Sequence, residues 1–253
     1  MTFDEQSPVG RCDEVAAALD AVRARIDAAC RAAGRDPAEV ALLPVTKFFP
    51  ASDVRVLYDL GCREFGESRE PEASTKIAQV RADLDGRAVV DPVRWHMIGR
   101  LQRNKVKTVS RWAHVVHSLD SVRLADALDA AVGAARDAGD REGSLDVLLQ
   151  VSLDTDPGRG GVPVGEVAAL ADRVAASSNL VLRGVMAVPP LGSDPDAEFA
   201  RLEALHAEVL AAHPSATTVS AGMTGDLDAA IRHGSTCVRV GTAILGRRPI
   251  VSE

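Results

Sequence analysis

The chain has 253 residues, 46% of them hydrophobic and 26% charged, which suits one large α/β domain with a real core. Its net charge of −7 argues against a nucleic-acid partner, which needs a basic footprint to displace counterions. No apolar run approaches the ~20 residues of a membrane helix, and the opening MTFDEQSPVG lacks a basic or apolar region, so a soluble cytoplasmic protein is expected.

Short apolar runs alternate with longer amphipathic stretches along the whole chain, the pattern of a parallel sheet wrapped by helices. An opening helix, Asp13 to Ala33, stops at Gly34, and the first strand follows at Val40 to Thr46. A helix after Pro50, with Ser52 as a plausible cap, runs to Gly61. The second strand is Arg63 to Gly66, and a polar helix covers Pro71 to Leu84. Val93 to Ile98 and His114 to His117 are strands three and four, each followed by a helix, from Gln102 to Trp112 and from Asp120 or Ser121 to Ala138. Leu145 to Ser152 is the clearest strand, a nearly continuous apolar run. After the loop Asp154 to Gly161 come a helix from Val164 to Ser177, strand six at Leu180 to Val188, and a helix from Asp196 to Ala212. Strands seven and eight are Thr217 to Ser220 and Cys237 to Val240, with a helix from Gly225 to His233 between them.

Eight strand–helix units without a linker predict a single-domain (β/α)8 TIM barrel over residues 1–253, with an extra N-terminal helix. An open doubly wound sheet is the alternative, and its G-x-G-x-x-G fingerprint is absent. Cys12, Cys30, Cys62 and Cys237 are widely spaced, without a C-x-x-C pair, so neither metal nor disulfide is expected. The basic stretch Arg100 to Arg111 reads as a solvated helix face.

In such a barrel, function collects where the strands end. Lys47 follows the apolar run ALLPVT and precedes FFP. Lost hydration there lowers a lysine's pKa and readies a neutral amine for a carbonyl; the same position also allows the side chain to snorkel to water. The segments VSAGMTGD (Val219 to Asp226) and VRVGTAILG (Val238 to Gly246) put glycines and hydroxyls between a strand and its helix. Such turns can hold a phosphate or serve the backbone alone. Alternation aims Arg239 into the barrel if Cys237 faces inward, where its guanidinium needs an acceptor: a bound ring nitrogen or a neighbouring acid. His96, at the end of strand three, is a candidate base or a structural histidine.

Together, LLPVTK with Lys47, FGES (Phe65 to Ser68), WHMIGRLQRNK (Trp95 to Lys105), HSLDS (His117 to Ser121), LRGVMAVPP (Leu182 to Pro190), SAGMTGDLDAAI and GSTCVRVGTAILG resemble the YggS/PROSC group of pyridoxal phosphate homeostasis proteins. The resemblance runs from Val40 to Arg247 and implies a fold like the N-terminal domain of alanine racemase. It also implies pyridoxal 5′-phosphate joined to Lys47 as a Schiff base. Ser220, Gly241 and Thr242 would hold the phosphate, and Arg239 the pyridine nitrogen. Ser68, His96 and Met223 complete the implied cofactor-binding set. The group usually has Asn where Ser68 stands, and Met and Ser where Ala221 and Thr224 stand.

Two functions follow from that resemblance. One is a non-catalytic carrier that stores, buffers or delivers the cofactor, as a monomer, with apo forms of pyridoxal phosphate enzymes as partners. The other is an amino-acid racemase or lyase of the alanine racemase type. A racemase of this fold needs a second domain and a catalytic tyrosine, whereas this sequence ends soon after strand eight and has one tyrosine, Tyr58, inside a helix. The carrier is therefore expected, with no catalytic residue.

Overall fold

The computed structural model describes residues 8–85, 92–154 and 160–247. Helix α1 (Pro8–Ala32) leads into β1 (Ala41–Pro44), α2 (Ala51–Asp59), β2 (Glu64–Glu67), α3 (Glu72–Leu84) and β3 (Arg94–Met97). Then come α4 (Val106–Trp112), β4 (Val115–Leu119), α5 (Val122–Asp137), β5 (Leu145–Ser152), the two-residue β6 (Val162–Pro163) and α6 (Val167–Ala175). The chain continues through β7 (Leu180–Met186), α7 (Pro195–Ala212), β8 (Thr218–Ser220), α8 (Leu227–Arg232), β9 (Cys237–Val240) and the single turn α9 (Thr242–Leu245).

Every strand pair is parallel, in the order β1-β9-β8-β7-β5-β4-β3-β2. A bridge between Val45 and Gly66 joins the two ends of that order, and the Thr46 N–H donates to the Gly66 carbonyl at 3.0 Å. The eight-stranded barrel is thus closed, but at β1–β2 by a bridge rather than a ladder. Strand β6 lies off the ring, paired to the end of β5; two residues are too few to leave a periodic signal.

Helix α1 shows how the Ala- and Val-rich sequence builds its core. Val15, Leu19, Val22, Ile26 and Cys30 recur every three or four residues and are all buried, a single apolar stripe. That stripe packs on α2, α8 and α9. Strand β5 has buried side chains on both faces, Leu145, Val147, Leu148, Leu149 and Val151, as a central barrel strand requires.

Two local expectations change, and a third falls mostly outside the described residues. Pro50 stands at the N-cap of α2 and Ser52 inside its first turn, with no side-chain cap bond. Helix α4 begins only at Val106, so Arg100 and Arg103 belong to a loop and a 3-10 turn (Arg103–Lys105), not to a helix face. The buried Leu101 and Val106 pin that loop down, which periodicity over a whole predicted helix could not reveal. The loop expected at Asp154 to Gly161 falls mostly on residues 155–159, outside the described residues.

Candidate cofactor site at the barrel mouth

The backbone of β1 runs on through Val45 and Thr46 to a half-buried Lys47. The next residue, Phe48, has φ of 72°, a left-handed conformation that costs a non-glycine residue about 1–3 kcal/mol. Its ring takes Lys47 Nζ at 5.8 Å and the Arg69 guanidinium at 5.1 Å from its centroid. Beneath the lysine, Lys76 reaches in from α3 and donates to the Thr46 carbonyl at 2.8 Å and to Glu67 Oε1 at 2.7 Å. Thr46 Oγ1 donates to the same carboxylate at 2.6 Å. Lys76, Glu67 and Thr46 are all buried, so a charge-assisted triad fixes the peptide that carries Lys47.

Lys47 and Ser68 line one cavity of about 1120 Å³ with Phe48, Met97, Gly99 and Ser121. On the neighbouring strand, Arg239 is 5% exposed. Its Nη1 donates to the Ser220 carbonyl at 2.6 Å and to Ser220 Oγ at 2.7 Å, and Nη2 to the Ala187 carbonyl at 3.1 Å. The guanidinium therefore sits at the carboxyl ends of β7 and β8. No carboxylate among the described residues pairs with it, and its three acceptor atoms are neutral. Burial pulls its pKa down from the ordinary arginine value, the signature of a desolvated cation.

Ser220 is fully buried, and His117 Nδ1 lies 2.9 Å from its hydroxyl. His117 Nε2 in turn meets His96 Nδ1 at 2.9 Å, and His96 Nε2 lies 3.4 Å from Glu64 Oε2. Because a guanidinium only donates, one consistent assignment sends each proton from Ser220 to His117 and on to His96, whose buried Nε2 has no hydrogen-bond partner among the described residues and meets Glu64 only as a charge contact. Burial first, then His96 and Arg239, pushes the His117 imidazole well below its ordinary range. Burial also lifts the Cys237 thiol to about 11. Both are neutral at pH 7, and the contact with His96 holds the Glu64 carboxyl below the usual range.

This geometry revises two expectations. His96 is not at the mouth: with Ala41, Glu64, Arg94, Val115 and Cys237 it lines a cavity of about 590 Å³ at the amino ends of the strands. Inward-facing residues of neighbouring strands form staggered layers, and on β3 it is Met97, not His96, that reaches the mouth layer. The Ser220 hydroxyl is spent on Arg239 and His117, so it supports the arginine rather than standing open to a phosphate.

The remaining predicted residues lie in the two turns after β8 and β9. A Cβ placed on Gly241 would stand 3.0 Å from the Val45 carbonyl, so this turn packs against the strand end that carries Lys47. Thr242 is exposed at the start of α9, next to that glycine. Met223 is 40% exposed, and its N–H donates to Asp226 Oδ1 at 2.6 Å. Helix α1 ties both turns down: Arg25 Nη1 donates to the Thr224 carbonyl at 2.6 Å, and Arg11 Nη2 to the Leu245 carbonyl at 3.0 Å. Sequence reasoning missed these ties and the His117 relay because each joins residues far apart in the chain, and the Lys76–Glu67 pair because a lysine in a polar helix gives no sign of burial.

The model of the alanine racemase N-terminal domain matches residues 17–249. A pyridoxal phosphate homeostasis protein of Mycobacterium leprae is 51% identical over 241 residues, covering 93% of each chain. PipY of Synechococcus elongatus, in a structure with pyridoxal phosphate bound, superposes with a TM-score of 0.76 at 31% identity, over 92% of this chain and all of that one. Alanine racemase from Corynebacterium glutamicum shares the fold at a TM-score of 0.64 and 14% identity, over 96% of this chain and 63% of that one. A shared barrel and half-identical relatives over nearly full length settle the affiliation: this chain belongs to the pyridoxal phosphate homeostasis protein family.

Proposed function

We propose that this chain binds pyridoxal 5′-phosphate on Lys47 and acts as a store and carrier of that cofactor rather than as an enzyme. The observation that carries the reading is a pairing on neighbouring strands: a half-buried lysine at the mouth beside a buried arginine whose acceptors are all neutral. The family's name and the cofactor seen in PipY support it. When bound, the cofactor supplies an aldehyde that condenses with a lysine amine.

The residues present fit that group. Arg239 would donate to the ring nitrogen, and a guanidinium, which does not release its proton, would keep that nitrogen unprotonated and the ring a weak electron sink. The Gly241–Thr242 turn, with the Met223 turn beside it, would take the phosphate, and Ser68 would border the ring from β2. Ser220, His117 and His96 would act as positioning residues behind Arg239. The same reading takes the barrel as one unit that works as a monomer in the cytoplasm and passes cofactor to apo-enzymes.

Solvent deuterium incorporation into alanine and serine separates carrier from racemase. The carrier reading expects the protein to match free pyridoxal phosphate, and expects loaded protein to reactivate an apo-enzyme acceptor. Stereospecific exchange well above the free cofactor would establish a racemase or lyase instead.

A further inference from the structure

We propose that the mouth cavity holds a second anion subsite, built on the β3–α4 and β4–α5 loops, for the phosphate of a small phosphorylated molecule. It goes beyond the cofactor reading: Lys47 and Ser68 border this cavity, but Ser220, Met223, Arg239, Gly241 and Thr242 do not line it.

Its volume of about 1120 Å³ lies just above the ~300–1,000 Å³ range that buries a drug-sized ligand, and pyridoxal phosphate is smaller than that. The lining carries six cations, Lys47, Arg69, Arg100, Arg103, Lys105 and Arg123, against three acids, Glu70, Glu72 and Asp120. The local excess is positive in a chain whose net charge is −7, so it is not a reflection of composition. Two of those acids are already engaged. Glu70 accepts from Trp112 Nε1 and, at 2.6 Å, from Ser74 Oγ; Asp120 accepts from Ser121 Oγ at 3.2 Å.

The four cations of the two loops contrast with ion-paired arginines on the helices nearby. Arg111 pairs with Asp140 at 3.1 Å and Arg173 with Asp126 at 2.6 Å. Arg100, Arg103, Lys105 and Arg123 form no ion pair among the described residues. Nor is their loop loosely hung. A Cβ on Gly99 would stand 2.4 Å from the Ser68 carbonyl, a contact only glycine permits, and Leu101 is 6% exposed. Arg100 and Arg103 are thus presented from a backbone clamped to the end of β2. A phosphate dianion, with more acceptor oxygens and a higher charge than a carboxylate, makes fuller use of the guanidinium forks, the Gln102 amide and the Ser68 hydroxyl on the same lining.

The test uses protein loaded with pyridoxal phosphate and reduced with borohydride, which fixes the first anion in place. Inorganic phosphate, and acetate in a parallel arm, are titrated by calorimetry at low ionic strength. Wild type is expected to bind one further phosphate per chain, with acetate at least tenfold weaker. Arg100→Ala/Arg103→Ala should weaken phosphate at least tenfold, while Arg111→Ala, outside the cavity, leaves it unchanged. Absence of saturable phosphate binding in wild type, equal binding by the double variant, or acetate binding as well as phosphate would overturn the subsite. Absorbance of the reduced adduct reports cofactor loading separately, so failure of the cofactor reading shows there. In that event the same comparison of wild type with the double variant, on unloaded protein, still decides the subsite.

Discussion

At the scale of single residues, the lysine proposed to take the cofactor is the one the sequence exposes most plainly, and the lysine that supports its peptide is the one it hides. Lys47 is legible because an apolar strand delivers it to a strand end. Lys76 sits in a polar helix and resembles any surface cation, yet it is buried against Glu67 and the Thr46 carbonyl. Removing one partner of such a pair leaves an uncompensated buried charge, worth about 3–5 kcal/mol. Lys76→Met should therefore lower unfolding stability by about that much in urea melts, and Lys76→Met/Glu67→Leu should recover a large part of it. Equal losses in the single and double variants would show that the pair does not act as one unit. Ser220→Ala should release Arg239 and His117 together and loosen cofactor retention; about 1.5–3 kcal/mol is at stake for a hydrogen bond to a charged group. The reading needs that loss to be larger than for Ser68→Ala, checked by dialysis of the two loaded variants.

At the scale of elements, the strands were readable from short apolar runs and the helices from their apolar stripes and from glycines such as Gly34 and Gly61 that end them. Layering inside the barrel was not. One residue along β3 separates Met97 at the mouth from His96 at the opposite end, and only the stagger of the closed ring decides between them. Helix α1 was legible as a helix but not as a strap. Arg25→Ala frees the Thr224 carbonyl and Asp228. It should cost little stability, about 1 kcal/mol for so exposed a pair, yet speed cofactor loss several-fold because the β8–α8 turn is untied. Melting and dialysis on one sample check both halves, and unchanged retention would sever α1 from the site. The start of β4 sets the acid response. Burial holds His114 at about 4, below its ordinary 6.5, and its Nδ1 accepts from the Trp95 N–H at 3.0 Å. Between those values the unfolded chain binds a proton that the folded chain refuses, so stability is full above about pH 6.5 and falls as the pH drops toward 4. The depressed His117 acts in the same direction. A plot of Tm against pH should slope less steeply across that window in His114→Asn than in wild type; parallel slopes would place the effect elsewhere.

At the scale of the whole molecule, the barrel was readable because eight strand–helix units repeat without interruption and a strand such as β5 is buried on both faces. The division of labour between its two ends was not. Cys237, His117 and His96 face an interior that runs from a basic mouth to a charged cavity at the amino ends of the strands, and sequence alone assigns no depth to an inward-facing side chain. What unifies the molecule is the placing of Lys47 and Arg239 on adjacent strands, with the triad holding the first, the Ser220 relay the second, and α1 the turns beside them. The central claim is that Lys47 is the residue that takes the cofactor. The most direct measurement is borohydride reduction of protein incubated with pyridoxal phosphate, followed by peptide mapping of the adduct. The account requires a single pyridoxyl group on Lys47, lost in Lys47→Ala. An adduct on Lys76 or Lys105 instead, or one that survives in Lys47→Ala at the same yield, would contradict it.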